Sequence, residues 1–351
     1  MIRKDFLHHL AALAMGAGFS KLHNTEDPLA PGWATTRQPD FLKQGDIIAI
    51  TAPAGYISYE EIQPALQQLK SWGLVVRLGS TIGKRDGTFG GTDRERLADL
   101  QSMLDDKEIK AILCARGGYG LVRIVDGLNF AGFRKHPKWV IGFSDITVLH
   151  AHLFRKTGFA SIHSKMCNSF PTYWALADEL QKATILSIRD MLFGKPMQFR
   201  IPSTLHNRLG KAAGRLVGGN CKTLETLAGS PSDLNTKGCI LFLEDTGEYL
   251  YSIDRMFWNL KRSGKLEHLT GLIIGGFKHK PSEKPEEEFG RNLQQIVLEK
   301  VQDCSYPVCF DFPVGHQRNN FALKCGAMVQ LDVGRDIVRL DELVQGKGMS
   351  G

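Results

Sequence analysis

Ser144 lies where an apolar run gives way to a helical pattern. The run Trp139–Gly142 is typical of a buried strand, and the spacing that begins at Asp145 predicts a helix. A serine on the sharp turn between a strand and a helix presents its hydroxyl outside the sheet, beside backbone N–H groups that can bind an oxyanion. This pattern suits acyl transfer with Ser144 as the nucleophile.

Ser144 also has an ordinary structural interpretation. A serine–aspartate pair before a helix is a common N-cap, and the local sequence alone favours that role. The strand–turn–helix motif of many hydrolases has a second glycine two residues after the serine, where this chain has Ile146. A nucleophilic role for Ser144 therefore depends on partner residues elsewhere in the chain.

A serine nucleophile needs a base that takes its proton and a third group that orients the base. Glu244 follows the apolar run Gly238–Leu243, which predicts a strand with the carboxylate at the rim of a sheet. His316 lies in a loop after another apolar run. Each of these residues, taken alone, is more often structural than catalytic. Three histidines near Ser144 are alternative bases: His150, His152 and His163.

Strand and helix patterns alternate through the first half of the chain. The predicted strands are 47–50, 74–78 and 109–114, the predicted helix is 59–72, and Thr92–Glu95 is a capping box that begins a further helix. This alternation predicts a parallel sheet with helices on both faces. Such sheets bind ligands outside the carboxyl ends of their strands. The glycine-rich segment Arg116–Gly120 follows a strand as Ser144 does, so we expect both at one rim.

The alternation lapses between Asn168 and Ser203, where we place a domain boundary, although residues 175–192 have a helical pattern. The second half has its own strands and helices. Beyond the strand before Glu244, we predict helices at 252–260 and 289–301, a strand at 271–274, and a closing hairpin of 327–333 and 337–340.

Composition indicates a soluble globular protein. The 351 residues are enough for two domains, and 42% are hydrophobic and 23% charged, which excludes a disordered chain. The net charge is +7. The sequence has no block of like charge that would indicate nucleic-acid binding, and its positive charge weakly favours anionic small substrates.

The seven cysteines are odd in number and lie mostly in apolar runs, so we predict buried reduced thiols. No cysteine or histidine pair has zinc-ligand spacing, and we predict no metal site. The turn Ala52–Gly55 lacks the glycine spacing of a phosphate loop, and we predict no cofactor.

Residues 1–40 are predicted to be an N-terminal arm or export signal outside the fold. A basic start is followed by small and apolar residues through Phe19, a pattern typical of export signals. Arg3–Leu7 resembles a twin-arginine signal with lysine in place of the second arginine. The apolar stretch is too short to span a bilayer in the mature chain. We expect a periplasmic protein; the alternative is a cytoplasmic protein with a frayed amphipathic arm.

Four motifs occur in order along the chain: Arg116–Gly120, Gly142–Thr147, Leu243–Asp245 and Gly315–His316. Two further stretches support them: Gly90–Arg96 and Gly214–Asn220. Together they resemble the LD-carboxypeptidase family of serine peptidases, the muramoyltetrapeptide carboxypeptidases. The resemblance covers the chain from Asp46 to Leu340. Each motif is weak alone, and the ordered set is specific.

The resemblance implies a catalytic triad of Ser144, Glu244 and His316, with an oxyanion hole formed by the backbone N–H groups of Gly118 and Asp145. It implies a homodimer of two-domain chains. A flavodoxin-like α/β domain carries the serine, and a smaller β-rich α/β domain carries the acid and the base. The predicted bounds are 41–170 for the first domain, 171–210 for a linker and 211–345 for the second domain.

The activity that the resemblance implies is hydrolysis of the L,D amide bond of a cell-wall muropeptide, with release of D-alanine from a tetrapeptide. Arg116 is a candidate for binding the terminal carboxylate of the substrate, although a structural salt bridge is an equal alternative. Gly117 is placed at the same substrate-binding rim. Members of the family commonly carry a His-Gly-Pro-Met-like stretch where this chain has His163–Met166. We expect the loss of glycine and proline there to reshape the substrate rim and to leave the triad intact.

Two other functions remain open. A microcin-immunity-type peptidase that cleaves peptidyl-aminoacyl nucleotides would share the chemistry, but that branch typically has an asparagine-rich segment in place of Arg116–Gly120. A non-catalytic muropeptide-binding protein would keep the fold, but the intact set of serine, glutamate and histidine argues against it.

Overall fold

The fold is taken from a computed structural model, which describes residues 37–282 and 284–343. The predicted export signal, Arg3 to Phe19, lies outside the described residues, and export stays a prediction. No helix in the described ranges has the length and apolarity that a membrane crossing needs.

The first half of the chain forms a parallel sheet with helices on both faces. Its elements are β1 (Ile47–Thr51), α1 (Tyr59–Ser71), β2 (Val75–Leu78), α2 (Asp93–Asp105), β3 (Ile109–Cys114), α3 (Ala131–Lys135), β4 (Trp139–Gly142), α4 (Thr147–Thr157) and β5 (Ser161–His163). The strands lie in the order β2–β1–β3–β4–β5, which is the flavodoxin-like order. The predicted fold class of this domain is confirmed.

Local capping explains where the first helices begin. Helix α2 begins after Thr92, whose side chain accepts the Glu95 N–H while Glu95 accepts the Thr92 N–H, as the capping box predicts. Ser58 and Glu61 do the same for α1. Because these caps fix the helix starts, they also fix the loops that follow β1 and β2 at the rim of the sheet.

The second half forms a seven-stranded sheet. Its elements are α5 (Glu179–Leu192), β6 (Gln198–Pro202), β7 (Gly210–Asn220), α6 (Cys221–Thr226), β8 (Cys239–Tyr249), α7 (Leu250–Arg262), β9 (Gly271–Lys280), α8 (Leu293–Lys300), β10 (Val308–Cys309), β11 (Leu323–Cys325), β12 (Met328–Val333) and β13 (Ile337–Glu342). All its strands except β11 belong to this sheet, in the order β10–β9–β8–β7–β12–β13–β6. The predicted closing hairpin is β12–β13.

The predicted bounds need five corrections. The helix expected from residue 175 begins at Glu179, because Asp178 is its N-cap. The strand expected to end before Glu244 continues through it to Tyr249, and the strand expected at 271–274 continues to Lys280, because β8 and β9 pair with each other beyond the core. The helix expected from residue 289 begins at Leu293, because Asn292 and Gln295 form its capping box. The segment predicted as a linker contains α5 and strand β6.

One strand from the second half completes the first sheet. Strand β11 pairs antiparallel with β5, with Leu323 opposite His163. The two halves also meet where β7 ends on α4, since the Asn220 N–H donates to Thr147 Oγ1 at 3.0 Å. Both apolar cores contain residues from both halves. Six of the seven cysteines are buried and Cys304 is half-buried; all are free thiols.

Arg96 joins the loops at the rim of the first sheet. Its side chain is fully buried and donates to the carbonyl oxygens of Pro53 at 2.7 Å, Gly120 at 2.9 Å and Gly91 at 3.2 Å. It also pairs with Asp93. The guanidinium therefore ties the loop after β1 to the glycine-rich segment after β3.

We expect Arg96→Ala to lower the free energy of unfolding by about 3–5 kcal/mol, since it leaves three buried carbonyl groups without donors. Arg123→Ala is the matched control, because Arg123 pairs with the same Asp93 but is 46% exposed. We expect the control to cost less than about 1 kcal/mol. Denaturant unfolding of both variants measures the difference; equal losses would contradict the role given to Arg96.

Candidate active site

Ser144 occupies a strained turn at the carboxyl end of β4. Its φ is 63°, a left-handed conformation that is uncommon for a residue with a β-carbon. A single 3-10 turn, Ser144–Ile146, connects β4 to α4, and no side chain caps either helical segment. The interpretation of Ser144 as an N-cap is therefore wrong. The backbone strain is instead typical of a residue held in place for function.

The glycine-rich segment after β3 lies directly against Ser144. A β-carbon at Gly117 would be 3.1 Å from the Ser144 β-carbon, so any larger residue would push the segment and the serine turn slightly apart. The Leu121 N–H donates to Asp145 Oδ2 at 2.9 Å, which fixes the segment to the serine turn. Burial raises the pKa of Asp145 to about 6, although this hydrogen bond opposes the shift.

The backbone N–H groups of Gly118 and Asp145 are available at this turn. Gly118 has a φ of 101° and is exposed. Neither N–H donates a hydrogen bond to any residue in the ranges that the structure describes. Two unpaired N–H groups beside a serine are the donors that an oxyanion needs. Their role stays a prediction.

Glu244 and His316 form a close pair. His316 Nδ1 and Glu244 Oε2 are 2.6 Å apart, and the Glu244 side chain is fully buried. Strand β8 carries Glu244, and the loop after β10 carries His316. A β-carbon at Gly315 would lie 2.3 Å from the Glu244 β-carbon, so glycine at this position, with a φ of 98°, brings the imidazole over the carboxylate.

The contact between Glu244 and His316 changes the pKa of both side chains. Burial raises the pKa of a carboxyl group, yet the neighbouring histidine side chains hold the pKa of Glu244 well below its usual range. For His316, burial lowers the pKa, but the hydrogen bond to Glu244 and the negative charge of that carboxylate more than offset burial and raise the pKa. The carboxylate therefore stabilises the imidazolium form of His316, as the orienting acid of a triad must.

His316 also lies beside the serine turn. Its ring is 4.9 Å, centroid to centroid, from the ring of Phe143, the residue before Ser144. The Ser144 hydroxyl makes no hydrogen bond with a described residue, so the structure brings His316 to the turn without joining it to Ser144. Catalytic hydrogen bonds are often long without substrate and shorten in its complex.

The three alternative histidine bases have other positions. His150 is buried with Nε2 at 2.9 Å from Gly142 O, and burial lowers its pKa to about 3. His152 is buried with Nδ1 at 2.8 Å from Ser232 Oγ. His150 is packed against β4, and His152 faces the second half of the chain; both are buried, as expected for residues on α4. His163 is different, because its ring faces Glu244, a proximity that no local sequence pattern indicates.

The remaining predicted residues lie at the rim. Arg116 is exposed, donates to Tyr56 O at 3.3 Å and forms no ion pair with a described residue, so the structural salt bridge is not observed. The stretch His163–Met166 is the one that differs from the family pattern. Within it, Lys165 Nζ donates to Thr184 Oγ1 at 3.0 Å and to Arg318 O at 2.8 Å. Lys165 thus connects this stretch to the loop that carries His316.

A cleft of about 520 Å³ opens beside His316, lined among others by Lys278, His279 and Arg318. Within residues 37–282 and 284–343, no three His, Cys, Asp or Glu side chains are grouped so that they could hold a metal ion.

Known proteins are similar to this chain over most of its length. The family models described as the LD-carboxypeptidase N-terminal domain and C-terminal domain match residues 48–164 and 213–331. A probable murein peptide carboxypeptidase of Bacillus subtilis is 34% identical over 302 residues, which are 84% of this chain and 91% of that protein.

Solved structures agree with this fold. The crystal structure of a muramoyltetrapeptide carboxypeptidase from Oxalobacter formigenes superimposes with a TM-score of 0.76 at 29% identity, covering 86% of this chain and all of that one. The microcin C7 self-immunity protein MccF, in complex with aspartyl sulfamoyl adenosine, superimposes equally well with a TM-score of 0.76. It is only 21% identical over 89% of this chain and all of its own, and the likeness is one of fold.

Proposed function

Because this chain belongs to the LD-carboxypeptidase family of peptidases, we propose that it is a serine carboxypeptidase acting on cell-wall muropeptides. It hydrolyses the L,D amide bond of a tetrapeptide and releases the terminal D-alanine. The observation that carries the proposal is the 2.6 Å contact between His316 and Glu244 beside the strained Ser144 turn. The relatives named for murein peptides support the substrate class. The homodimer stays a prediction.

In the proposed mechanism, His316 Nε2 takes the proton of Ser144 as the hydroxyl oxygen attacks the amide carbonyl carbon. His316 then gives this proton to the departing amine of D-alanine as the C–N bond breaks, and a water hydrolyses the resulting acyl-serine by the same path. Glu244 accepts the Nδ1–H of His316 throughout, so it fixes the tautomer and stabilises the imidazolium.

The tetrahedral intermediate carries its negative charge on the former carbonyl oxygen. The N–H groups of Gly118 and Asp145 bind that oxygen, and donors of this kind contribute about 3–4 kcal/mol each to lowering the barrier. Leu121 and Asp145 keep the two N–H groups in one position, because their hydrogen bond joins the two loops that carry them.

Positive side chains at the rim suit a peptide that ends in a carboxylate. Arg116 has no acidic partner among the described residues and points from the segment that supplies Gly118, so it binds the terminal carboxylate of D-alanine. Lys278 lines the cleft beside His316, where the proposal places the rest of an acidic muropeptide. The net charge of +7 has the sign that attracts such a substrate.

Mass spectrometry of defined muropeptides tests the substrate. We expect the purified enzyme to convert a murein tetrapeptide to the tripeptide with loss of D-alanine. A peptidyl-aminoacyl nucleotide assayed side by side tests the microcin-immunity alternative, and faster cleavage of that conjugate would replace the present proposal. Binding of the tetrapeptide without cleavage, and no covalent adduct with a serine-directed inhibitor, would indicate a binding protein.

The pH dependence of kcat/KM should show an acid limb above 6.5, the ordinary pKa of histidine. His316 acts as a base only when it is neutral, and its pKa is raised, so activity falls as the pH drops through that raised value. Initial rates at low substrate between about pH 5 and pH 9 measure the limb. A midpoint below 6.5 would show that Glu244 does not raise the pKa of the catalytic base.

A further inference from the structure

Glu244 lies between two imidazoles. Its Oε2 atom contacts His316 Nδ1 at 2.6 Å, and its Oε1 atom faces His163 Nε2 at 3.7 Å. The side chains of Glu244 and His163 are both fully buried. At 3.7 Å the second contact is too long for a direct hydrogen bond. Accordingly, neither Glu244 Oε1 nor either ring nitrogen of His163 has a partner among the described residues.

The His163 ring that faces Oε1 has aromatic neighbours. The His163 ring packs edge-on against Phe143 at 5.7 Å and Phe242 at 5.2 Å between centroids, so the carboxylate oxygen and the imidazole face each other inside an aromatic enclosure. A buried carboxylate oxygen without a hydrogen bond is strongly unfavourable, and so is an unpaired ring N–H. A relative shift of about 0.8 Å would bring both atoms to hydrogen-bond distance and satisfy both groups.

His163 is well held for such a role. It ends strand β5, where it is paired with Gly142 on one side and with Leu323 of β11 on the other. Gly142 belongs to the strand that leads to Ser144, and Leu323 belongs to the second half of the chain. The ring therefore has a fixed position relative to the serine turn and to the lobe that carries Glu244 and His316.

We infer that His163 is a positioning residue whose Nε2–H donates to Glu244 Oε1, so that the carboxylate is clamped between two imidazoles with Oε2 aimed at His316. The inference deepens the proposed function and rests on it for its effect on catalysis. Nε2 carries the proton because a lone pair there would face the carboxylate and be repelled. Nδ1 then points its lone pair into the aromatic enclosure. The titratable groups near His163 include Glu244, His316, His150 and Cys325, and Asp245 and Lys278 also act on His316.

Nitrogen-15 NMR of the histidine rings in the full chain tests the geometry without any substrate. Assigned spectra should show a proton on His163 Nε2. A proton on Nδ1 instead would overturn the inference. This measurement tests the hydrogen bond between His163 and Glu244 even if no muropeptide is cleaved. In that case the proposed function fails, and the tautomer still shows whether His163 donates to Glu244.

Kinetics of two variants test the consequence for catalysis. We expect His163→Phe, which keeps the ring packing without the donor, to lower kcat by about 10–100-fold with little change in KM, the effect of losing one hydrogen bond to a charged group. We expect His163→Gln, whose amide nitrogen can replace Nε2, to recover most of that loss. The acid limb of kcat/KM should move to higher pH in His163→Phe. Without the donor from His163, the Glu244 carboxylate attracts the proton of His316 more strongly and raises the pKa of His316 further. It should return towards the wild-type position in His163→Gln.

A merely structural role would give another result. His152→Phe is the matched control, because His152 is equally buried on α4 but bonds Ser232 outside the site. It should lower thermal stability without moving the acid limb. A His163→Phe enzyme with the wild-type acid limb, or a glutamine variant no better than the phenylalanine variant, would overturn the inference. If His163→Phe does not fold, the glutamine variant compared with the wild type and the NMR tautomer still decide it.

Discussion

Ser144→Ala is expected to lower kcat for D-alanine release from a murein tetrapeptide by about 10⁴-fold or more, because it removes the nucleophile of the proposed triad. Alanine keeps the β-carbon, so the strained turn with its φ of 63° is unchanged, and so is the approach of Gly117. Tetrapeptide affinity, measured by calorimetry, should therefore change little. Release of D-alanine is measured by mass spectrometry at saturating substrate.

Ser169→Ala is a suitable control for this experiment. It deletes the same oxygen atom from a half-exposed serine in the short helical turn after β5, whose hydroxyl makes no hydrogen bond with a described residue. We expect wild-type rates from it. Undiminished release by Ser144→Ala would remove Ser144 from the mechanism, whatever the family of the chain.

Glu244→Gln is expected to lower kcat by about 10⁴-fold while leaving the fold intact. The amide has the shape of the carboxylate but no charge, so it neither stabilises the imidazolium of His316 nor fixes its tautomer reliably. The acid limb of kcat/KM should also move to lower pH, since the negative charge of Glu244 is what raises the pKa of His316. The readouts are kcat and the pH profile of kcat/KM.

Glu225→Gln makes the same chemical change elsewhere in the second domain. Glu225 accepts hydrogen bonds from Asn259 at 3.1 Å and Lys222 at 3.1 Å on the surface of that domain. We expect it to keep the wild-type rate and pH profile. If Glu244→Gln retained most of the wild-type kcat, His316 would have to be oriented by another group.

Local signals explain what the sequence predicts well. Strand β3 has the predicted bounds, and α2 begins after the predicted capping residue Thr92, because burial patterns and caps act over a few neighbouring residues. The rim location of Gly117 and Ser144 follows from a topological rule for parallel sheets, and the structure places them in contact.

Other features depend on distant pairing and have no local pattern. Strand β11 has three residues and is defined only by its pairing with β5. Strand β8 continues past Glu244 to Tyr249 because β9 pairs with it. The composition of β8 alone does not indicate this pairing. The position of His163 could not be predicted for the same reason. Its sequence neighbours indicate only a short strand, and its ring comes close to Glu244 only in the folded chain.

The crossing of β11 into the first sheet has a consequence for biosynthesis. A ribosome releases Ser144 and its sheet early, but β5 keeps an open edge until Leu323–Cys325 have emerged. Pairings between residues so far apart in sequence raise the contact order, which slows folding and lengthens the time for which that edge is vulnerable to aggregation. We therefore expect the nascent chain to stay inactive until β11 has been translated, and we expect the lobe with the nucleophile not to fold stably without β11.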